Sequence, residues 1–350
     1  MLIDSARSSE ISSAIIDWVR GKGRILIVTH DNPDPDALAS AYALQQIFSC
    51  ETRQEATITF GGIIGRGENR TMVRELEICT VPIDRINFDD YAITCLVDTQ
   101  PGTGNNSFPA DRKIDIVIDH HPRQQSVDLC RWHDIREDYG ACATILYEYL
   151  LASKVYIGTK LATILFYAIK TETQDLGREW SPSDRASYLN LLHLANNQIL
   201  YRITHPSLPR SYFHLFHRAL AKAQLYNSLL TCNLGQINNP DIVAEMADFL
   251  LRVEGVDSVL AMGRYQHEGI LSLRVASYDL SAGRLMRRTI DGYGSGGGHG
   301  MTAGGQIKPL ADDVNLDELL ELFAKRLLES LERPVVTAVR LLPDDHGATR

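Results

Sequence analysis

One apolar run ends in an imidazole and two carboxylates. RILIVTH (24–30) leads into DNPDPDALAS (31–40), which places His30, Asp34 and Asp36 just past the run. Carboxylates this close repel, and without a counter-charge one of them tends to stay protonated. A divalent metal removes that conflict, because mixed oxygen and nitrogen ligands suit Mn, Mg, Zn or Fe. The plainer alternative is that Asp34 caps the following helix and His30 is a satisfied core histidine. Two later runs repeat the pattern: AITCLV (92–97) ends at Asp98, and IDIVI (114–118) ends at Asp119-His120-His121. Helix capping alone explains three successive endings with metal-ligand chemistry poorly. Far downstream, GYGSGGGHGMTAGGQI (292–307) has glycine at eight of sixteen positions and carries Gly297, Gly298 and His299. Such a segment lets main-chain amides approach an anion closely, or serves as a flexible linker. In LSLRVA (271–276) the alternation lifts Ser272 and Arg274 onto one face.

These residues need rigid strand ends to hold them. The β-branched runs at 24–30, 92–97 and 114–118 read as buried parallel strands, and ligands in open parallel sheets gather beyond the carboxyl ends of the strands. Helices are predicted at 8–20, 37–48, 139–153, 160–170 and 182–197, with a short strand at 57–60. GGIIGRGENR (61–70) reads as a loop. TETQDLGREW (171–180) puts Glu172 and Asp175 near the end of the 160–170 helix. In that stretch Trp180 either stacks on a base or packs at the next helix start. YRITHPSLPR (201–210), with two prolines, marks the domain boundary. A connecting helix at 212–229 then leads to strands at 231–237, 258–265 and 269–276, helices at 241–252 and 281–290, a closing helix at 316–331 and a last strand at 335–341. The predicted fold is α/β: a mainly parallel sheet flanked by helices, plus a smaller α/β domain, joined by a linker helix. The domains are expected at 1–205 and 231–345, with the linker at 206–230. The tail DDHGATR is expected to fray.

Composition narrows the partners. Apolar residues make up 44% and charged residues 23%, as in ordinary globular chains. The net charge of −9 gives no global basic field, so long nucleic acid is not expected. A short anion held by local cations and a metal remains compatible. The six cysteines are scattered with no C-x-x-C pair, and most sit inside apolar runs, which suggests buried free thiols in a reducing compartment. MLIDSARSSE is too polar for a signal peptide, and no run of eighteen apolar residues occurs. The expected location is cytoplasmic.

HDNPDPDALAS, LVDTQPG, IDHHP, IKTETQDLG and GSGGGHG together resemble the DHH phosphoesterase superfamily, whose smaller DHH-associated domain binds substrate. The layout is most similar to the nano-RNase / pAp phosphatase group. The resemblance implies a two-metal site, typically Mn2+, with Mg2+ or Co2+ as alternatives. By position, His30 and Asp34 hold one ion, Asp36 and His120 the other, and Asp98 bridges both. His121 faces the phosphate. Catalysis falls to His121, Asp98 and Asp36. The fourth-motif acid matches Glu172, with Asp175 nearby. Pro35 and Ala39 stand where many nano-RNases have glycine. In the second domain Arg274, Ser272, Gly297, Gly298 and His299 are expected to hold substrate. The implied reaction is attack by a metal-activated hydroxide on short oligonucleotides or pAp-type nucleotides; a homodimer is compatible with the sequence, which does not set the oligomeric state. The competing readings are a RecJ-like single-strand exonuclease, a cyclic or linear dinucleotide phosphodiesterase, a pyrophosphatase or exopolyphosphatase, and a non-catalytic nucleotide sensor.

Overall fold

The structure is a computed structural model and describes residues 5–277 and 279–342, so the tail DDHGATR lies outside the described residues. The chain forms two compact units, the first ending at Pro206 and the second beginning at Ser207.

The first unit is built on six strands: β1 (Ile25–Val28), β2 (Ala56–Phe60), β3 (Val81–Pro82), β4 (Ile93–Val97), β5 (Ile116–Asp119) and β6 (Trp132–Ile135). All pairs are parallel, in the order β3-β2-β1-β4-β5-β6. Strand order therefore runs outward in both directions from the β1–β4 pair, the switch point where such sheets leave a crevice. Ile25 and Ile27 face a core built with helices α1 (Ser5–Val19), α2 (Pro35–Thr52), α4 (Cys142–Ala152), α5 (Thr159–Glu172), α6 (Pro182–Leu192) and α7 (Asn197–Thr204). Leu26 and Val28 face the other side, where Phe108, Val127 and Cys130 close over the sheet. A strand covered on both faces must be apolar at every position, which is why ILIV does not alternate.

Two expectations for this unit are corrected. The 61–70 segment is not all loop, because α3 (Gly67–Glu75) begins inside it and buries Asn69, Thr71 and Met72. The helix expected over 182–197 stops at Leu192. Asn196 then caps a separate α7 by accepting from the Gln198 and Ile199 amides, so the boundary segment is helical up to Thr204. Across both units most cysteines are buried free thiols, as expected: four are buried, Cys50 and Cys79 are exposed, and all six are free.

In the second unit, seven strands run in the order β11-β12-β10-β9-β8-β7-β13. They are β7 (Gln224–Tyr226), β8 (Leu229–Ile237), β9 (Ser258–Tyr265), β10 (Glu268–Val275), β11 (Ser295–His299), β12 (Thr302–Ile307) and β13 (Val339–Arg340). One face carries α8 (Arg210–Lys222) and α9 (Asp241–Leu250). The other carries α10 (Ala282–Thr289) and α11 (Leu316–Ser330). The connecting helix expected at 212–229 thus ends at Lys222, and its Leu215 and Ala219 lie in this unit's core. The final strand is only two residues long.

The glycine-rich segment is not a loop. β11 and β12 pair as a hairpin turning at Gly300-Met301. Its glycines let α10 press on bare main chain: a Cβ on Gly283 would lie 2.0 Å from the Gly298 carbonyl oxygen. Gly283→Ala is expected to cost about 1–3 kcal/mol through this overpacking, read as a lower melting temperature. An unchanged melting curve would contradict the close approach. No described helix is long and apolar enough to cross a membrane.

Candidate metal centre

Beyond β1, β4 and β5 the predicted acids and imidazoles come together. His30 Nε2 lies 3.7 Å from Asp34 Oδ2 and 3.6 Å from Asp98 Oδ2. His120 Nε2 lies 3.5 Å from Asp98 Oδ1 and 3.8 Å from Asp36 Oδ2. Two donor groups result, each with its ligand atoms within 4.8 Å of one another: His30, Asp34 and Asp98, and Asp98, Asp119, His120 and His121. Asp98 belongs to both. These separations exceed ordinary hydrogen bonds. They approach the roughly 3–3.5 Å edge between ligands that each sit about 2.1 Å from one cation. Asp98 Oδ1 is buried and has no hydrogen-bond partner. A buried carboxylate oxygen left in that state is costly, and a cation would satisfy it. The donor set therefore fits divalent ions.

Local structure fixes each donor. His30 Nδ1 is 2.9 Å from the Asp31 carbonyl, and His120 Nδ1 is 3.1 Å from the Tyr139 carbonyl. An Nδ1–H donated to a carbonyl leaves the Nε2 lone pair facing the carboxylates, which is how metal-binding histidines are commonly held. Asp34 does two jobs. Its Oδ1 caps α2 by accepting from the Asp36 and Ala37 amides, as the capping reading expects, while Oδ2 faces His30 and stays available to a cation. Asp36 is fully buried, and its oxygens accept from the Cys142 and Ala143 amides at the start of α4, at 2.7 and 2.8 Å. Asp98 has φ +59°, a left-handed conformation strained for an aspartate and typical of functional positions.

His121 is arranged differently. Its Nδ1 lies 2.9 Å from Asp119 Oδ1, and that same oxygen accepts from the His120 and His121 amides. Asp119 Oδ2 accepts from Gln100 Nε2 at 2.7 Å. Four donors fall on Asp119, three on Oδ1 and one on Oδ2, and they tie it to the His120 and His121 main chain and to the His121 ring. Sequence reasoning gave neither Asp119 nor Gln100 a role. The leading acid of Asp-His-His could have suggested the first; Gln100 carries no local signal.

The carboxylates crowd one another. Burial raises the Asp98 pKa well above the usual range, and the neighbouring Asp36 and Asp34 add to the rise. Asp36 is likewise raised by burial, then by Glu172 and Asp34. Glu172 is pushed up to about 7 by burial and by Asp34, against the opposing charges of His121, His30 and Arg178. Burial would lower His30, but the Asp34 carboxylate outweighs it and lifts the ring to about 9. For His121 the Asp119 hydrogen bond also overcomes burial and raises the pKa. The same bond brings Asp119 down to about 2 despite burial. A cluster that resists losing its protons is what a site built for added positive charge should show.

Glu172, at the end of α5, is electrostatically part of this cluster. Asp175 turns away, bonded to Lys170 and, at 3.0 Å, to the Tyr188 hydroxyl, with its side chain 57% exposed. In the second unit Arg274 donates Nε to Asp248 and Nη1 to Ser272 Oγ at 2.8 Å. It is thus an internally paired arginine and not a solvated one. Gly297 faces open space where a Cβ would be, and Gly298 sits at φ +148° against Thr302. His299 lies on β11, and its side chain is outside what the structure describes.

Comparison with known proteins places both units in known domain families. Residues 24–169 match the DHH family, N-terminal domain, and residues 225–329 match the DHHA1 domain. An uncharacterized protein of Methanocaldococcus jannaschii is 31% identical over 308 residues, covering 86% of this chain and 62% of its own length. The chain therefore spans less than two thirds of that relative. A second uncharacterized protein of the same organism is 23% identical over 331 residues, covering 89% of this chain and 96% of its own. The crystal structure of an exopolyphosphatase-related protein from Bacteroides fragilis shares the fold, with a TM-score of 0.75 at 15% identity, over 91% of this chain and 96% of that one. The chain belongs to the DHH phosphoesterase superfamily, with a DHHA1 domain in its second unit.

Proposed function

We propose that this chain is a divalent-metal-dependent phosphoesterase that hydrolyses short oligonucleotides or pAp-type nucleotides, with Mn2+ as its usual ion. The observation that carries the reading is Asp98, whose two oxygens face two different imidazoles at 3.6 and 3.5 Å. His30 and Asp34 would hold one ion, Asp36 and His120 the second, Asp98 both, and Glu172 would add a further carboxylate. Bound there, the ions supply an activated water and neutralise charge on the phosphate. His121, oriented by Asp119 and biased toward its protonated form, offers positive charge where negative charge develops in the transition state. In the second unit Gly297 and Gly298 give main chain that a phosphate can approach, and Ser272, Arg274 and His299 are the side chains proposed to hold the substrate end. For Arg274 that means sharing its guanidinium with Asp248.

The deciding assay is a manganese series with pAp, a dinucleotide, a pentamer and a long single strand. Fastest turnover of pAp or the shortest oligomers supports the proposal; preference for the long strand replaces it with an exonuclease. Asp119→Asn is expected to lower kcat roughly 10–100-fold while bound metal is retained, because it weakens the hold on His121 and leaves the ions' own ligands in place. Loss of metal in that variant would instead make Asp119 a ligand.

A further inference from the structure

We infer that Arg178 and Trp180 form a nucleotide subsite on the first unit, with the guanidinium taking a phosphate oxygen and the indole stacking on a base. This rests on the phosphoesterase reading and deepens it by giving the nucleotide base a surface that a bare polyphosphate could not use.

Four observations lead there. After Glu172 ends α5, Gln174, Asp175 and Leu176 follow with φ of 48°, 58° and 62°. Three successive left-handed non-glycine residues cost about 1–2 kcal/mol each, and such strain persists where a function needs the shape. The turn folds the chain back so that the Arg178 amide donates to the Thr173 carbonyl at 3.0 Å, which sets Arg178 beside the end of α5. Second, Arg178 Nε is buried with no hydrogen-bond partner, and its side chain makes no ion pair among the described residues. A guanidinium has five donors in a planar fork, and its preferred partners are carboxylate and phosphate. Its charge is felt at Glu172, so it stands near the acidic cluster without pairing to it.

Third, the segment lies directly on the strip that holds two proposed ligands. A Cβ on Gly140 would fall 2.4 Å from the Glu179 carbonyl oxygen and 3.0 Å from Trp180 Cα. Residues on either side of Gly140 supply the Tyr139 carbonyl to His120 and the Cys142 and Ala143 amides to Asp36. Asp184 locks this arrangement by accepting from the Gly140 and Ser181 amides, each at 2.7 Å. Fourth, Trp180 is 43% exposed and pairs with no other ring among the described residues. Its main chain is anchored while its indole is presented to solvent, which is the arrangement of a stacking platform. Packing at the helix start, the plainer expectation for this tryptophan, leaves that exposure unexplained.

The test uses Trp180 as its own reporter. In a Trp18→Phe/Trp132→Phe chain with saturating Mg2+, fluorescence is followed while 5′-AMP, inorganic phosphate or tripolyphosphate is added. Saturable quenching by AMP alone is expected, with Arg178→Gln weakening AMP binding about ten-fold. No response to AMP, or an equal response to tripolyphosphate, would overturn the subsite. If the double variant misfolds, wild type and Trp180→Phe titrated in parallel give the same signal by difference. In turnover, wild type should prefer a trinucleotide over its end-abasic counterpart by about ten-fold in kcat/KM, and Trp180→Leu should erase most of that preference. An undiminished preference also overturns the subsite. If no phosphoester is turned over at all, the catalytic reading fails, and AMP quenching still decides whether the subsite exists.

Discussion

Asp98→Asn is expected to lower phosphoester turnover by on the order of 1,000-fold or more, about 4 kcal/mol, without unfolding the protein. Asp98 is the residue common to both donor groups, so removing its charge weakens two ion sites at once. The substitution is mild on the backbone, because asparagine accepts the left-handed φ of +59° at least as readily as aspartate. It also removes one of the buried carboxyls whose pKa is driven up by its neighbours. The metal-free variant should therefore melt no lower than metal-free wild type. What it should lose is the rise in melting temperature that Mn2+ gives wild type. Paired melts with and without Mn2+, alongside a turnover assay, separate these effects. A variant that keeps both its turnover and its metal-induced stabilisation would remove Asp98 from the centre.

The second large effect is on stability as a function of pH. In metal-free protein Glu172 has its pKa raised to about 7 and His30 to about 9. Both folded values lie above the unfolded ones, so the folded state binds these protons more tightly. The stability they contribute is fully present at low pH and is lost as pH rises, for Glu172 between about 4.5 and 7 and for His30 between about 6.5 and 9. Asp119, with its pKa lowered to about 2, acts in the opposite sense, but only as pH falls below about 4. Metal-free protein should thus lose on the order of 5 kcal/mol between pH ~5 and ~8.5, about half from each group. Divalent metal should reverse the trend, because its ligands bind only when deprotonated and the gain from binding grows with pH. Denaturant melts at the two pH values, in EDTA and in Mn2+, check this. Equal slopes in both buffers would mean that the acids are not crowded around a cation site.

Much of the candidate centre was legible because its acids and imidazoles follow apolar strands. ILIV, ITCLV and IVID are short and β-branched, which favours buried strands, and parallel strands deliver whatever follows them to one edge. That reasoning brought His30, Asp34, Asp98 and His120 together without coordinates. The support for those ligands was not legible. The Tyr139 carbonyl and the Cys142 and Ala143 amides act through main chain, which carries no residue identity, and Asp184 reaches Gly140 from 44 positions away. Glycine misled twice. In 61–70 it hid the start of α3, and in 292–307, read as an anion-approaching segment or a linker, it hid a β-hairpin on which a helix packs closely. Asp175 against Glu172 was undecidable from spacing, since a left-handed turn of non-glycine residues turns one acid outward and leaves the other in the cluster.

The most direct test is the number of ions the wild-type chain holds. Equilibrium dialysis against Mn2+, read by elemental analysis, should give two ions per chain, with Asp98→Asn holding fewer. No bound ion in wild type, or the same number in both proteins, would contradict a centre organised on the two oxygens of one carboxylate.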